Sequence, residues 1–86
     1  MSRVLHIHRY AVPSGDRKKY LDRARAARAH FTNRGCRFWL FEEIDLPGAF
    51  LAFVEADDAG TLEDAVSGAP MPEAQGVRLY REVELT

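Results

Sequence analysis

Apolar side chains alternate with polar ones in four segments of the chain, and this period of two predicts four β-strands. The segments are residues 4–12 (VLHIHRYAV), 36–44 (CRFWLFEEI), 49–56 (AFLAFVEA) and 77–85 (VRLYREVEL). Between the first two, apolar residues recur at spacings of four, three and four, which predicts a helix that buries Tyr20, Ala24, Ala27 and Phe31. A shorter helix is predicted between the last two strands, with Leu62, Ala65 and Val66 turned inward.

Capping and turn residues mark where these elements begin and end. Ser14 is predicted to cap the first helix, and Gly35 is predicted to end it near residue 34. Residues 46–49 (LPGA) are predicted to form a turn, because proline presets φ at the second position and glycine tolerates positive φ at the third. Either Asp57 or Asp58 can cap the second helix.

The order of elements, β-α-β-β-α-β, predicts an α+β fold. The arrangement that buries both helices is one antiparallel four-stranded sheet with the two helices on a single face. A loop over residues 69–76 connects the second helix to the last strand. We expect residues 1–86 to form a single domain, since a chain of this length has room for one core.

The position of the turn predicts which residues share a face of the sheet. With a four-residue turn at 46–49, Ile44 lies opposite Leu51 and Glu42 lies opposite Phe53. One face then collects Leu5, Ile7, Trp39, Phe41, Phe50, Ala52 and Val54, and it is predicted to lie beneath the helices, with Trp39 in the core. The other face collects His6, His8, Tyr10, Phe38, Leu40, Glu42, Ile44, Leu51, Phe53 and Glu55.

This second face is too apolar to be left in water, and the two helices cover only one side of the sheet. Exposed apolar patches of this size usually mark an interface or a ligand groove. We therefore expect a homodimer in which two sheets pack face to face around a space with mixed polar and apolar walls.

Composition and charge indicate which kinds of partner and which cellular compartment to expect. Residues 1–37 hold ten Lys/Arg and two Asp/Glu, whereas residues 38–86 hold two and eleven. The basic helix has no interleaved aromatic residues, so we expect a self-complementary surface and no nucleic-acid partner. The single cysteine, Cys36, rules out an internal disulfide, and no apolar stretch is long enough for a signal peptide or a membrane span, which favours a cytoplasmic protein with no membrane partner.

The chain resembles the dimeric α+β barrel superfamily, in its antibiotic-biosynthesis-monooxygenase-like branch. The resemblance rests on the element order and on the stretch HRYAVPSGDRKKYLDRA, in which a strand passes through Pro-x-Gly into a charged helix. It implies a ferredoxin-like protomer that dimerises through its sheet, with a ligand cavity between sheet and helices or at the barrel. Haem-degrading members use an Asn, a Trp and a His; His8 stands near the Asn position, Glu55 near the Trp position, and the second helix has no His.

If the protein is a small cofactor-independent oxygenase or isomerase, His6 and His8 are the candidate catalytic residues, because histidine is a general base near neutral pH. In a cofactor-independent oxygenase of this kind, either one would deprotonate a phenol or enol that then reacts with dioxygen. Tyr10 would position the substrate, and Glu42 or Glu55 would orient the imidazole. Phe38, Leu40 and Phe53 would complete a wall for a hydrophobic or aromatic ligand.

Other roles for the two histidines remain open at this stage. An H-x-H pair on one strand can share a metal, but a metal site needs further ligands, for which only Glu42 and Glu55 are suitably placed, and we expect no metal or other cofactor. The pair could also form hydrogen bonds at an interface. The alternative to an enzyme is a ligand-binding or dimeric assembly module without catalytic activity, in which apolar side chains fill the space between the sheets.

Overall fold

A computed structural model describes residues 3–71 and 78–85 and confirms the predicted α+β fold class. In chain order it contains strand β1 (Val4–Ala11), helix α1 (Arg17–Thr32), strands β2 (Arg37–Glu42) and β3 (Ala49–Ala56), helix α2 (Ala59–Ser67) and strand β4 (Leu79–Arg81). All strand pairs are antiparallel, and the strand order β2-β3-β1-β4 is that of a ferredoxin-like sheet. Most of the loop predicted at 69–76 lies outside the described residues, as does residue 77 of the predicted fourth strand.

The helix caps match the sequence prediction in part. Ser14 does not cap α1, because it opens a short 3₁₀ turn, Ser14–Asp16, that leads directly into the helix. The predicted cap at Asp58 is confirmed: its Oδ1 accepts a hydrogen bond from the Thr61 backbone N–H at 2.8 Å. Gly35 follows α1 with a φ of +76°, a left-handed conformation that favours glycine.

The hairpin between β2 and β3 contains the predicted turn and a second one. The backbone N–H of Ala49 donates to the Leu46 carbonyl at 3.1 Å, and Gly48 has a φ of +93°, as the LPGA sequence predicts. Immediately before it, the Leu46 N–H donates to the Glu43 carbonyl at 3.3 Å. Phe50 therefore pairs with Glu42, three residues earlier on β2 than predicted. Since three is an odd number, the side chains of β2 exchange faces.

The observed register defines two faces, which we call the inner face, beneath the helices, and the open face. The inner face carries Val4, His6, His8, Tyr10, Phe38, Leu40, Glu42, Phe50, Ala52 and Val54. The open face carries Leu5, Ile7, Arg9, Trp39, Phe41, Leu51, Phe53 and Glu55. The predicted orientation is correct for β3 residues Phe50, Ala52 and Val54, and it is wrong for β1 and β2.

The two histidines fit beneath the helices because their neighbours are small. His8 lies opposite Ala52 on β3, and α1 buries Ala24 and Ala27 on the side that packs on the sheet. Larger rings close the core on either side. Phe31 of α1 stacks on Phe38 with ring centroids 5.7 Å apart, and Tyr20 of α1 packs on Phe50 at 4.7 Å. The imidazole of His8 thus occupies the space left by small side chains, and aromatic rings pack on one another to either side of it.

Strand β4 is shorter than the nine residues predicted for it. It pairs with β1 only from Val4 to His6, and the backbone N–H of Glu82 then donates to the carbonyl of Arg3, the first described residue. Residues 82–85 continue beyond this contact without strand pairing, and Val83 and Leu85 are exposed.

Among the glycines that the structure describes, Gly48 should be the most sensitive to substitution. A Cβ at this position would lie 2.7 Å from the Val12 carbonyl oxygen, and the residue has positive φ. We expect Gly48→Ala to lower the free energy of unfolding by about 2 kcal/mol or more, from backbone strain and the clash. Gly15→Ala is the control, because a Cβ at Gly15 would have no atom within 4 Å and φ there is not positive. Urea unfolding of both variants checks this; equal stability would contradict the turn geometry.

Candidate functional site

The structure brings six of the eight predicted site residues together on the inner face. His6, His8 and Tyr10 come from β1, and Phe38, Leu40 and Glu42 come from β2. They were predicted to share a face, which is correct, but that face was expected to lie away from the helices, which is wrong. Phe53 and Glu55 lie on the open face, across the sheet from the other six.

Both histidines are buried in the protomer. His6 and His8 are 6% and 5% exposed. The Nδ1 atom of His6 lies 3.4 Å from the Arg78 carbonyl oxygen, a long contact in which Nδ1 must donate because a carbonyl only accepts. A ligand on the open face therefore cannot touch either imidazole. Catalysis by this pair would require a substrate beneath the helices.

A row of aromatic rings continues from His8 along the inner face. The imidazole of His8 lies 6.0 Å from the Tyr10 ring, and the Tyr10 and Tyr20 rings are nearly parallel at 5.5 Å. Tyr20 then packs on Phe50. This row joins β1, α1 and β3; His8, Tyr20 and Phe50 are buried in the core, whereas Tyr10 is 38% exposed.

Glu42 is held at the end of β2 by charge and by backbone. Its two carboxylate oxygens accept hydrogen bonds from the Arg17 guanidinium at 2.5 and 2.9 Å, and one of them also accepts the Gly48 backbone N–H at 2.8 Å. The hydrogen bonds from Arg17, then that from Gly48, lower the pKa of Glu42 to about 2. Arg17 also lies over the Phe50 ring, 5.5 Å from its centroid. Glu42 therefore joins the start of α1 to the hairpin, and within residues 3–71 and 78–85 its hydrogen bonds are with Arg17 and Gly48 and with neither histidine.

A cleft of about 550 Å³ lies on the open face of the sheet. Aromatic side chains form much of it, and three of them are substantially exposed: Trp39 (44%), Phe41 (55%) and Tyr80 (46%). The residues that line it are Arg3, Leu5, Trp39, Phe41, Phe53, Glu55, Tyr80, Arg81 and Glu82. A second cleft of about 480 Å³ shares Phe41 with the first and reaches Arg9 and Leu46 near the hairpin.

One wall of the 550 Å³ cleft is a chain of ion pairs centred on Glu55. Its buried carboxylate accepts hydrogen bonds from Arg3, at 3.0 Å, and from Arg37. Arg3 also binds Glu82 through two nitrogens, and Arg37 binds Asp57 at 3.0 Å. These ion pairs connect β2 and β3 to the residue before β1 and the residue after β4. They leave the carboxylates of this wall neutralised by arginines.

Tyr80, Arg3 and Arg37 were not predicted as site residues, and Trp39 was predicted to lie in the core. One signal could have corrected the register: Arg37 and Glu55 are directly opposite each other on neighbouring strands. An opposite-charge pair at this position stabilises a sheet, whereas the predicted register set Leu40 against Glu55. No comparable signal in the sequence indicates the carboxylate contacts of Arg3, since they join residues far apart in the chain.

Two further observations concern metals and membranes. Within residues 3–71 and 78–85, no three His, Cys, Asp or Glu side chains are grouped closely enough to hold a metal ion. Neither helix in the described part of the chain has the length and apolar character needed to cross a bilayer.

Solved structures of other proteins share this fold. A conserved protein from Methanosarcina mazei Go1 superposes with a TM-score of 0.73 at 14% identity, covering 95% of this chain and 92% of that one. The protein Rv0793 from Mycobacterium tuberculosis has a TM-score of 0.64 at 13% identity, covering 100% and 97%. A Bordetella bronchiseptica protein with the provisional name antibiotic biosynthesis monooxygenase has a TM-score of 0.64 at 15% identity, covering 100% of both chains.

These likenesses confirm the predicted ferredoxin-like α+β fold, which this chain shares with all three proteins. No protein-family model matches the sequence, and no curated protein matches it. At 13–15% identity the shared property is the arrangement of helices and strands, so the chemistry has to be argued from the side chains of this chain.

Because of the Arg17–Glu42 contact, the free energy of unfolding should decrease as the pH falls below 4.5. The pKa of Glu42 is about 2 in the folded protein against 4.5 in the unfolded chain, so the unfolded state binds more protons between these values. The stabilisation is fully present above pH 4.5 and is lost as the pH falls towards 2. We expect Glu42→Gln to be less stable than wild type at pH 7 and to approach it near pH 2. Urea midpoints across this range measure the difference; exposed Glu43→Gln is the control, and an equal pH dependence in all three proteins would refute the assignment.

His8 should tolerate an apolar side chain of similar size if its role is structural. We expect the free energy of unfolding of His8→Leu to lie within about 1.5 kcal/mol of the wild-type value, because the substitution roughly conserves volume in a buried site. His8→Ala should cost about 2 kcal/mol or more, since it leaves a cavity. Thermal and urea unfolding check both. Severe destabilisation by Leu would instead show that the polar contacts of the imidazole hold the inner face together.

Proposed function

We propose that this protein is a homodimer that binds a hydrophobic or aromatic small molecule in the cleft on its open face. The observation that carries the proposal is the exposure of Trp39, Phe41 and Tyr80 around a cleft of about 550 Å³. Cavities for small organic ligands commonly measure 300–1,000 Å³ and have mostly apolar walls with a few polar groups. A bicyclic aromatic ring system fits this size and lining.

The dimer is supported by the apolar character of the open face. Leu5, Ile7, Leu51 and Phe53 lie on it half-buried, beside the exposed aromatic rings. A contiguous apolar surface of this kind is costly in water, and a second copy of the same face would cover it. Packing two open faces together would also close the cleft against solvent. The ligand site would then be completed by the partner subunit.

Monooxygenase-like chemistry is the reaction that the fold favours, in view of the name given to the Bordetella bronchiseptica protein. A cofactor-independent oxygenation needs an electron-rich substrate: a base removes a proton, the carbanion attacks dioxygen, and the peroxide formed loses water. One oxygen atom becomes a carbonyl oxygen, the other leaves in the water, and the electrons come from the two C–H bonds of the substrate. His6 and His8 are still the predicted bases, and in that role they require the substrate to reach the inner face.

An assembly module without activity is the second candidate, and the same aromatic rings favour it. Two copies of Trp39, Phe41 and Tyr80 could fill the space between facing sheets and leave no room for a ligand. Aromatic side chains of this kind are common in the centres of interfaces.

The dimer should be detected by sedimentation equilibrium at micromolar concentration as a species of twice the 9.7 kDa chain mass. Phe41→Glu should raise the dissociation constant of the dimer at least about tenfold, because it places a charge on the apolar open face. Glu63→Lys, an exposed change on α2, should leave the dimer intact. A stable wild-type monomer would exclude the dimer.

Ligand binding should be measured by calorimetry with naphthalenediols on the wild-type dimer. Tyr80→Ala removes a ring that lines the cleft and should weaken binding by about 2–10-fold, whereas Ile44→Ala, which is 94% exposed in the hairpin, should not. Oxygen uptake with the same compounds tests the reaction, and its loss in His8→Ala with the dimer retained would support a catalytic imidazole. A dimer that binds none of them would favour the assembly module.

A further inference from the structure

A groove of about 350 Å³ lies between α1 and the outer edge of β2. Most of the residues that line it are apolar, and the full set is Leu21, Ala24, Arg25, Arg28, Phe38, Trp39 and Leu40. The described wall therefore contains two arginines and no carboxylate. Arg25 binds Asp22 at 3.0 Å, whereas Arg28 has no ion-pair partner in the described part of the chain.

The backbone of β2 has unused hydrogen-bonding groups beside this groove. β2 is an edge strand, and β3 is the only strand paired with it among the residues that the structure describes. Because the Glu43 N–H donates to the Ala49 carbonyl, the alternation along an antiparallel pair turns the N–H and C=O of Phe38 and Leu40 away from β3. Both residues line the groove. An exposed edge of this kind is a template on which another strand can pair.

Residues 82–85 (EVEL), which we call the arm, have the sequence of a strand but no strand partner in the described protomer. Apolar and polar residues alternate, and Val83 and Leu85 are 74% and 94% exposed. The Glu82 N–H donates to the Arg3 carbonyl, and beyond this bond no backbone hydrogen bond joins the arm to the rest of the described chain. The arm has two carboxylates and no cation, so its charge is opposite to that of the groove.

We propose that the arm of one protomer adds as a fifth strand to β2 of a second copy, with Val83 and Leu85 in the groove. This inference rests on the proposed homodimer. The arm cannot fill the groove of its own chain, because β2 and β4 are separated by two strands, or about 14 Å. Four extended residues span about 13 Å, so none would be left to pair with β2.

The alternation of side chains agrees with this placement. Leu79 of β4 lies on the inner face, opposite His6, so Val83 and Leu85 point to the same side in a strand that continues β4. In a dimer with its open faces together, the inner faces of both sheets point outward. A strand that passes from one sheet to the edge of the other therefore keeps its apolar side chains on the side where the groove lies.

The double variant Val83→Ala/Leu85→Ala tests the inference, and it should fold because both side chains are exposed in the protomer. We expect its dimer dissociation constant, measured by sedimentation equilibrium, to be at least about tenfold higher than that of wild type. At a protein concentration where both proteins are dimeric, amide hydrogen exchange at Phe38 and Leu40 should be at least about tenfold faster in the variant, since the arm no longer protects these groups.

A pair of charge reversals on α1 tests the groove side of the contact. Arg28→Glu should also weaken the dimer, because it places a negative charge in the groove opposite an acidic arm. Arg23→Glu is the control, since it makes the same change at an exposed position of α1 that does not line the groove. Equal dissociation constants for these two variants would contradict the inference.

The failure of the arm contact and the failure of the dimer give different results. A wild-type dimer that Phe41→Glu weakens, but whose dissociation constant and amide exchange are unchanged in Val83→Ala/Leu85→Ala, overturns the arm contact and leaves the open-face dimer standing. A wild-type monomer overturns both.

Discussion

The pairing of Arg37 with Glu55 is the contact on which the two faces of the sheet depend. It sets β2 against β3 in a register that turns Phe38 and Leu40 towards the helices and Trp39 and Phe41 away from them. A buried carboxylate is costly without a partner, and Glu55 is 5% exposed, so a slip that removed Arg37 would leave it held by Arg3 alone. At the other end of the same hairpin, Glu42 is fixed by the Arg17 fork and the Gly48 N–H.

These two charged clusters give each face a different role. The inner face belongs to a packed core in which both histidines are buried beneath the helices. The open face keeps its aromatic rings accessible around a cleft with arginine-neutralised carboxylates in one wall. The residues best suited to recognise an aromatic ligand and those best suited to remove a proton are therefore on opposite sides of the sheet. This separation is the main physical constraint on an oxygenase mechanism.

Much of the fold follows from local sequence. The alternation of β1, the spacing of Tyr20, Ala24, Ala27 and Phe31, and the LPGA turn all predict what is observed. The face of β2 could not be predicted in this way, because a second turn at Glu43 shifts its register against β3 by an odd number of residues. The face of β1 was predicted wrongly because its histidines are polar, whereas their burial depends on the small side chains opposite them. The six predicted site residues on β1 and β2 still share one face, because both strands were assigned to the wrong face.

The open face is the surface on which the proposed function depends. Trp39 is the single tryptophan of the chain and lies on that face, 44% exposed in the protomer. Iodide quenching of its fluorescence, measured from nanomolar to micromolar protein, reports directly whether the face is covered. We expect a quenching constant that falls several-fold as the concentration rises, with a shift of emission to shorter wavelength. A quenching constant that is high and independent of concentration would contradict a covered open face.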